Sequence, residues 1–225
     1  MIDRPLNIGI VSPYGWDAPG GVQAHISDLR DYLVKHGHKV SVLAPSGDEE
    51  SLPDWVVNAG RPISIPYNGA VARVLFGPIA FARVKQWISE NEFDLLHLHE
   101  PAIPSISLLA CWAAEGPMVG TFHASAKRQK ASFAIVPILE PVIEKLSARI
   151  AVSEAARETL RAQIREISGW TERQRLTLCV DGGVNEHNIG GLDVELAVSA
   201  SSVLSSANPQ RQILRLQTSS AYEAP

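Results

Sequence analysis

The sequence is poor in cysteine, lacks long apolar runs and carries no excess of positive charge, and each absence argues against a class of protein. The chain of 225 residues has two cysteines, Cys111 and Cys179, far apart and outside any CxxC pair. Neither a disulfide framework nor a zinc site is therefore indicated. A formal net charge of −4 argues against a broad nucleic-acid surface, so we expect no nucleic-acid partner. No stretch approaches about 18 unbroken apolar residues, so no membrane-spanning helix is predicted.

Two motifs are also missing. The start MIDRPLNIGI lacks the basic residues and long apolar core of a signal peptide, so we expect a cytoplasmic location. No GxGxxG occurs, and the turn from Pro13 to Gly21 is longer than a dinucleotide-binding turn, which weakens a dehydrogenase interpretation. The hydrophobic content of 45% suits one ordinary domain, or one domain plus an appendage.

The most informative stretch runs from Asn7 to Gln23 and reads NIGIVSPYGWDAPGGVQ. Its apolar start suits a buried parallel strand, and the helical spacing of the apolar residues that follow predicts a helix directly after Gly20 and Gly21. Two glycines at a helix start leave backbone N–H groups uncovered, and the helix dipole there favours an anion such as phosphate. A tight strand-to-helix turn without a ligand explains this stretch equally well.

Strands and helices alternate along most of the chain. Further strands are predicted at 39–44, 63–65, 94–99, 118–122 and 149–152. This alternation predicts an α/β fold with a Rossmann-like, doubly wound parallel sheet whose ligands lie at the carboxyl ends of the strands. After about residue 167 the pattern fades into polar, serine-rich segments. We therefore expect one domain over 1–166 and an irregular, poorly ordered tail over 167–225, with a small β-rich appendage as the alternative.

Three groups of candidate residues fall at that carboxyl-terminal edge. Gly20 and Gly21 follow the first strand, Glu100 follows the strand at 94–99, and His123 follows the strand at 118–122. A histidine there can hydrogen-bond a sugar hydroxyl or relay a proton, although a hydrogen-bonded structural histidine is the plainer alternative. Glu100 is the expected ligand contact of its segment.

His97 and His99 occupy positions i and i+2 of one strand, so they share a face and could ligate a metal ion. No third ligand is apparent from the sequence. A packed or hydrogen-bonded pair is the favoured interpretation, and we expect no metal.

Basic residues cluster in two places. Lys127 and Arg128 follow His123 and suit an anionic ligand, while a solvated charge run is the alternative. Arg73, Arg83 and Lys85 accompany an apolar segment that enters a helix at Pro78. That segment suits either the core or an anionic membrane surface, and core packing is favoured.

Four stretches together carry a resemblance: SPYGWDAPGGVQAH, IPYNGAVARVLFGP, FDLLHLHEPAIPS and GTFHASAKR. They closely resemble the N-terminal half of the actinobacterial phosphatidylinositol mannosyltransferases, which are retaining family 4 glycosyltransferases. The glycine turn and the strand ending in histidine are common to the wider family, whereas Tyr-Asn-Gly-x-Val-Ala-Arg is the more specific signal. The resemblance covers residues 6–165.

This resemblance implies one half of a two-domain GT-B fold, GDP-mannose as the donor, the inositol ring of phosphatidylinositol as the acceptor, and no cofactor. It also implies peripheral attachment to the anionic inner face of the cell membrane. Gly20 and Gly21 would meet the donor diphosphate with Gln23 beside them, and His123 would lie at the reacting centre. The residues implied on the acceptor side are Tyr14, Asp17, Tyr67, Asn68, Arg73, Lys127 and Arg128.

The chain departs from the family in two respects. The helix after the Tyr-Asn-Gly stretch reads FARVKQW, which is less basic than in the family. Nothing after Arg165 resembles the second domain, which in the family supplies an arginine and a lysine to the diphosphate and a glutamate near the donor sugar. We therefore expect a truncated or frame-shifted half enzyme that is inactive alone. The alternatives are another family 4 enzyme with a different acceptor and a non-catalytic phospholipid-binding module.

Overall fold

The structure is a computed structural model, and it describes residues 4–67, 70–123, 142, 144–153, 156, 178–181, 196–198, 208, 211–212 and 215–216. The elements in chain order are β1 (Asn7–Val11), α1 (Gly21–Lys35), β2 (Lys39–Ala44), β3 (Val56–Asn58), β4 (Ile63–Tyr67), β5 (Ala70–Val74), α2 (Pro78–Asn91), β6 (Leu95–His99), α3 (Ile106–Ala113), β7 (Met118–Phe122), β8 (Ala148–Ala151), β9 (Leu178–Asp181) and β10 (Leu196–Val198).

Within the described residues, eight strands form one sheet in the order β10-β9-β8-β7-β6-β1-β2-β3, and every neighbouring pair is parallel. Apolar side chains cover both faces of this sheet. On one face Ile8 and Ile10 of β1 pack in a cluster with Ile26 of α1. On the other face Val11 packs in a cluster with Trp87 of α2 and residues of α3. Burial on both faces explains the continuous apolar strands, and the predicted doubly wound α/β fold is confirmed.

The strand order reverses at β1, which pairs with β2 on one side and with β6 on the other. In an open parallel sheet, connections leave such a point in opposite directions and open a crevice outside the carboxyl ends of the two strands. The loop that follows β1 and the residues that end β6 border this crevice. The fold therefore locates the candidate site between them.

A hairpin that the sequence only partly revealed lies outside the main sheet. β4 and β5 pair antiparallel, and the Asn-Gly turn predicted between them lies outside the described residues. The strand β5 was not predicted from the sequence, and neither was the short β3. The hairpin joins the loop after β1, because Gly15 donates its N–H to the carbonyl of Arg73 at 2.7 Å and Tyr14 forms a bridge with Val74.

The segment around α2 follows the predicted core packing in part. Val84 and Trp87 are buried, and Trp87 donates its indole N–H to Ser41 Oγ at 3.1 Å. Pro78 begins the helix, as expected from its missing N–H. Phe76 and Ile79 differ from the expectation: they are 44% and 73% exposed. Phe76 precedes α2, and Ile79 lies off the face of the helix whose Ala80, Val84 and Trp87 pack in the core.

The last part of the chain adds β9 and β10 to the edge of the main sheet beyond β8. The sequence analysis expected an irregular tail here, with a small β-rich appendage as the alternative, and these two strands extend the same parallel order. Most of 167–225 lies outside the described residues. The proposed domain boundary at residue 166 stays a prediction.

Gly9 offers a direct test of the packing around β1. A β-carbon there would lie 2.6 Å from Leu96 Cδ2 and 2.8 Å from Trp87 Cη2, so Gly9→Ala is expected to lower the free energy of unfolding by about 1–3 kcal/mol. Gly21 is the matched control, because a β-carbon at that position meets none of the described residues within 4 Å. Gly21→Ala is expected to be neutral, or stabilising by at most about 1 kcal/mol. Urea denaturation measures both variants, and equal destabilisation would contradict the packing described.

Candidate functional site

The N-terminus of α1 is open at the crevice. Gly20 is the N-cap residue, with an extended backbone (φ −165°), and no side chain of the described residues caps the helix. Gly20 and Gly21 are both exposed. The first N–H groups of a helix have no partner within the helix and carry its positive dipole end. An uncapped helix start of this kind can receive an anion, and the binding of a phosphate there stays a prediction.

Gln23 holds the preceding loop in place. Its side-chain Nε2 donates hydrogen bonds to the carbonyls of Gly15 and Ala18, both at 2.8 Å. The two bonds tie residues on both sides of Asp17 to the first turn of α1. Gln23 thus lies beside the glycine pair, as the resemblance implied, and its amide N–H groups fix the shape of the turn.

An ion pair joins this loop to the hairpin. Asp17 Oδ2 lies 2.9 Å from Arg73 Nη2 and also accepts the N–H of Gly47 at 2.9 Å. Asp17 Oδ1 is buried, and in the part of the chain that the structure describes it has no hydrogen-bond partner. The structure thus brings together Tyr14, Asp17 and Arg73, three of the residues implied for the acceptor side. A carboxylate oxygen beside the crevice is well suited to accept a hydrogen bond from a ligand hydroxyl.

The other residues implied for the acceptor side are less fully defined. Tyr67 is the last residue of β4, so its backbone lies in the same hairpin as Arg73. Asn68, Lys127 and Arg128 lie outside the described residues. Their positions relative to the crevice stay predictions.

His123 directly follows β7 and is held through its backbone and its ring. Its N–H donates a short hydrogen bond to the carboxylate of Glu100, and its Nε2 lies 2.8 Å from His99 Nδ1. Glu100 is buried and has a left-handed backbone (φ +49°), which is uncommon for a residue other than glycine. The sequence suggested that Glu100 contacts a ligand, and in the structure its carboxylate positions His123.

Two further histidines complete the cluster. The rings of His97 and His99 stack with centroids 4.6 Å apart, and His97 Nε2 lies 2.6 Å from Thr121 Oγ1. This confirms the packed, hydrogen-bonded pair that the sequence favoured. His25 of α1 was missed: its ring lies edge-on to His99 at 5.4 Å and to His123 at 5.2 Å. The available signal was its spacing, since it lies four residues after Gly21 and therefore on the same side of the helix.

Burial keeps the imidazoles of His97, His99 and His123 uncharged at neutral pH. Burial, reinforced by the neighbouring His25 and His123, lowers the pKa of His97 to about 3. Burial and the charge of His25 lower the pKa of His123 to about 4, and burial holds the pKa of His99 well below its ordinary value. At pH 7 the ring nitrogens therefore act as neutral hydrogen-bonding or ligating groups. Neutral imidazoles are better partners for the hydroxyl groups of a sugar than for the negative charge of a diphosphate.

Comparison with known proteins places this geometry in a family. A family model described as Glycosyltransferase Family 4 matches residues 19–168. The chain is similar to the phosphatidyl-myo-inositol mannosyltransferase of Mycolicibacterium smegmatis, with 51% identity over 152 residues that cover 68% of this chain and 39% of that protein. The protein of the same name from Propionibacterium freudenreichii is 37% identical over 158 residues, which cover 67% of this chain and 42% of that protein. The chain thus spans about two fifths of these curated relatives.

A solved structure supports the fold alone. The structure of an alpha-glucosyltransferase in complex with UDP and a 13-mer DNA matches with a TM-score of 0.50 and 11% identity, over 84% of this chain and 45% of that one. Among the described residues, no helix is long and apolar enough to span a membrane.

The lowered pKa of His97 predicts a pH dependence of stability. The unfolded chain takes up this proton near pH 6.5, whereas the folded chain resists protonation until about pH 3, so acid favours unfolding between these values. Between pH 7 and pH 5, His97 is expected to account for a loss of about 2 kcal/mol in the free energy of unfolding. The free energy of unfolding of the His97→Gln variant should fall by about 2 kcal/mol less than that of the parent chain between pH 7 and pH 5. Urea denaturation at both pH values measures the difference, and equal losses in the two proteins would contradict a neutral buried His97.

Proposed function

This chain belongs to glycosyltransferase family 4, and from that premise we propose that it forms the acceptor-side half of a mannosyltransferase. The donor is GDP-mannose, the acceptor is the inositol ring of phosphatidylinositol, and the anomeric configuration is retained. The observation that carries this proposal is the 51% identity, over 152 residues, to a protein named as a phosphatidyl-myo-inositol mannosyltransferase. The geometry of the crevice supports it at three points.

The first point is the open helix N-terminus. In the proposal, Gly20 and Gly21 receive the donor diphosphate, since backbone N–H groups and the helix dipole attract an anion and the missing side chains allow close approach. These groups supply partial charges only. The cationic partners of the diphosphate belong to the second domain that the family resemblance implies.

The second point is the loop that Gln23 and the hairpin hold against α1. Asp17 is ion-paired through Oδ2, and its buried Oδ1 has no hydrogen-bond partner among the described residues. In the proposal, the bound inositol places a hydroxyl group against this carboxylate. Arg73 balances the charge of the carboxylate. The resemblance also assigns Tyr67 and Asn68 to the acceptor, and Lys127 and Arg128 are proposed to approach the lipid phosphate.

The third point is His123 at the end of β7. Its neutral ring can hydrogen-bond a hydroxyl of the transferred sugar, while Glu100 and His99 fix its position. Catalysis in this proposal rests on positioning and on stabilising the charge of the departing GDP, rather than on a charged histidine.

The surface beside α2 supports peripheral attachment to the inner face of the membrane. The exposed Phe76 and Ile79 line a cavity of about 360 Å³ together with the basic Arg61 and Arg83. Apolar side chains flanked by cations suit the boundary between anionic head groups and acyl chains. In the proposal this surface faces the lipid from which the acceptor is taken.

Mannose transfer is the direct test. A full-length version carrying the second domain is expected to transfer radiolabelled mannose from GDP-mannose to phosphatidylinositol. Asp17→Asn should lower kcat/KM for the lipid by about 10–100-fold, because a charge-assisted hydrogen bond contributes about 1.5–3 kcal/mol. Asp31→Asn is the matched control, since Asp31 lies exposed in a surface pair with Arg30 and is expected to leave transfer unchanged. Transfer only to another acceptor, such as a sugar or a small thiol precursor, would overturn the lipid assignment and keep the family.

The 225-residue chain alone is expected to be essentially inactive. Losing one preorganised stabilising group costs about 10²–10³ in rate, and the single half lacks several together with the closure that excludes water. Calorimetry with GDP-mannose and transfer in phosphatidylinositol micelles measure this directly. Turnover of about 1 s⁻¹ or more would show that this half already contains the groups assigned to the second domain.

Liposome co-sedimentation tests the membrane surface. The chain is expected to sediment with anionic vesicles more strongly than with neutral ones, and Ile79→Ser should weaken that binding by about tenfold because a buried isoleucine contributes about 1.5–3 kcal/mol. Val57→Ser, at an exposed position of β3, is the control that should leave binding unchanged. Equal binding to neutral and anionic vesicles would argue against an electrostatic head-group surface.

A further inference from the structure

Three histidines from separate elements converge at the crevice: His25 from α1, His99 from the end of β6 and His123 from the segment after β7. One ring nitrogen of each lies within 4.8 Å of the other two. His99 is completely buried, whereas His25 and His123 are partly exposed. The cluster is therefore buried at His99 and accessible to solvent at His25 and His123.

We propose that His25, His99 and His123 bind one divalent transition-metal ion of the zinc class, with a fourth coordination position open to the crevice. Zinc–nitrogen bonds of about 2.0–2.1 Å in a tetrahedral site place the nitrogens about 3.3–3.4 Å apart. The cluster is close to that value, since His99 Nδ1 and His123 Nε2 are 2.8 Å apart and the ligand nitrogens of all three residues lie within 4.8 Å of one another. Small rotations of the partly exposed His25 and His123 rings bring three nitrogens to one ion.

The contact between two of the ligand residues shows how they would bind. His99 Nδ1 lies 2.8 Å from His123 Nε2, so one ring donates its N–H to the lone pair of the other. Binding of an ion would replace this hydrogen bond by two metal–nitrogen bonds. His99 Nε2, the other ring nitrogen, is buried and has no partner within the described part of the chain.

The surroundings suit a metal ligand set. Histidine ligands are usually oriented by hydrogen bonds from a surrounding shell, and here the carboxylate of Glu100 holds the backbone of His123 while His97, held by Thr121, stacks on His99.

The ligand chemistry selects the class of ion. Three imidazoles without a bound carboxylate suit zinc, copper, nickel or cobalt and disfavour magnesium or calcium, which prefer oxygen ligands. The ion keeps its charge of +2 on three neutral ligands, so the open position favours water, hydroxide or a phosphate oxygen. One consequence rests on the proposed function. An ion bound to His123 would compete with the donor sugar for that residue.

The test uses the untagged 225-residue chain after treatment with a chelator. Titration with CoCl₂ is expected to give the visible d–d absorption of tetrahedral cobalt and to saturate at one ion per chain, and ZnCl₂ should displace it. His25→Ala should weaken zinc binding, measured by calorimetry, by more than about 100-fold, since losing even an outer-shell partner of a metal ligand costs about 10–100-fold.

His36→Ala is the matched control, because His36 is an exposed histidine at the other end of α1 and should leave zinc binding unchanged. Far-ultraviolet circular dichroism checks that both variants fold, which alanine in a helix favours. The proposal is overturned if no cobalt bands appear, if His25→Ala binds zinc like the parent chain, or if His36→Ala weakens binding equally. No sugar nucleotide or lipid enters this experiment, so its outcome is separate from that of the transfer assay.

Discussion

The central position of β1 in the parallel sheet is the constraint on which the rest of the site depends. Ile10 is in register with Val42 of β2 on one side and with His97 of β6 on the other. Because both pairings are parallel, the chain leaves β1 at the same edge at which β6 and β7 end. The glycine turn and His99 are therefore brought to one crevice although they are far apart in sequence.

The turn after β1 keeps its shape through bonds to two neighbours. Gln23 ties the loop to α1, and the pair of Asp17 with Arg73 ties it to the hairpin. Side chains that the resemblance assigns to ligands thus also hold the loop together. A preorganised site needs such supports, since a loop of this length would otherwise lose much conformational entropy on binding.

The crevice combines an uncovered helix N-terminus with a cluster of neutral histidines. Under the proposed function, backbone dipoles orient the diphosphate and neutral imidazoles orient hydroxyl groups, while the proposed second domain supplies the full positive charge for the departing nucleotide. That division of charge assigns one side of a two-domain transferase to this chain. It agrees with a chain that spans about two fifths of its curated relatives.

The sequence by itself determined the features that depend on local pattern. Alternating segments predicted the sheet, the bounds of β2 and β7 agree with the prediction, and His123 follows its strand as expected. Only the tertiary structure decided what depends on contacts between distant segments. β5 forms by pairing with β4, and His25 joins the cluster because α1, packed on β1 and β2, brings its ring edge-on to those of His99 and His123. Ile79 is exposed because it lies off the face of α2 that packs in the core. Periodicity reports which face of an element is apolar, whereas packing decides which neighbour that face meets.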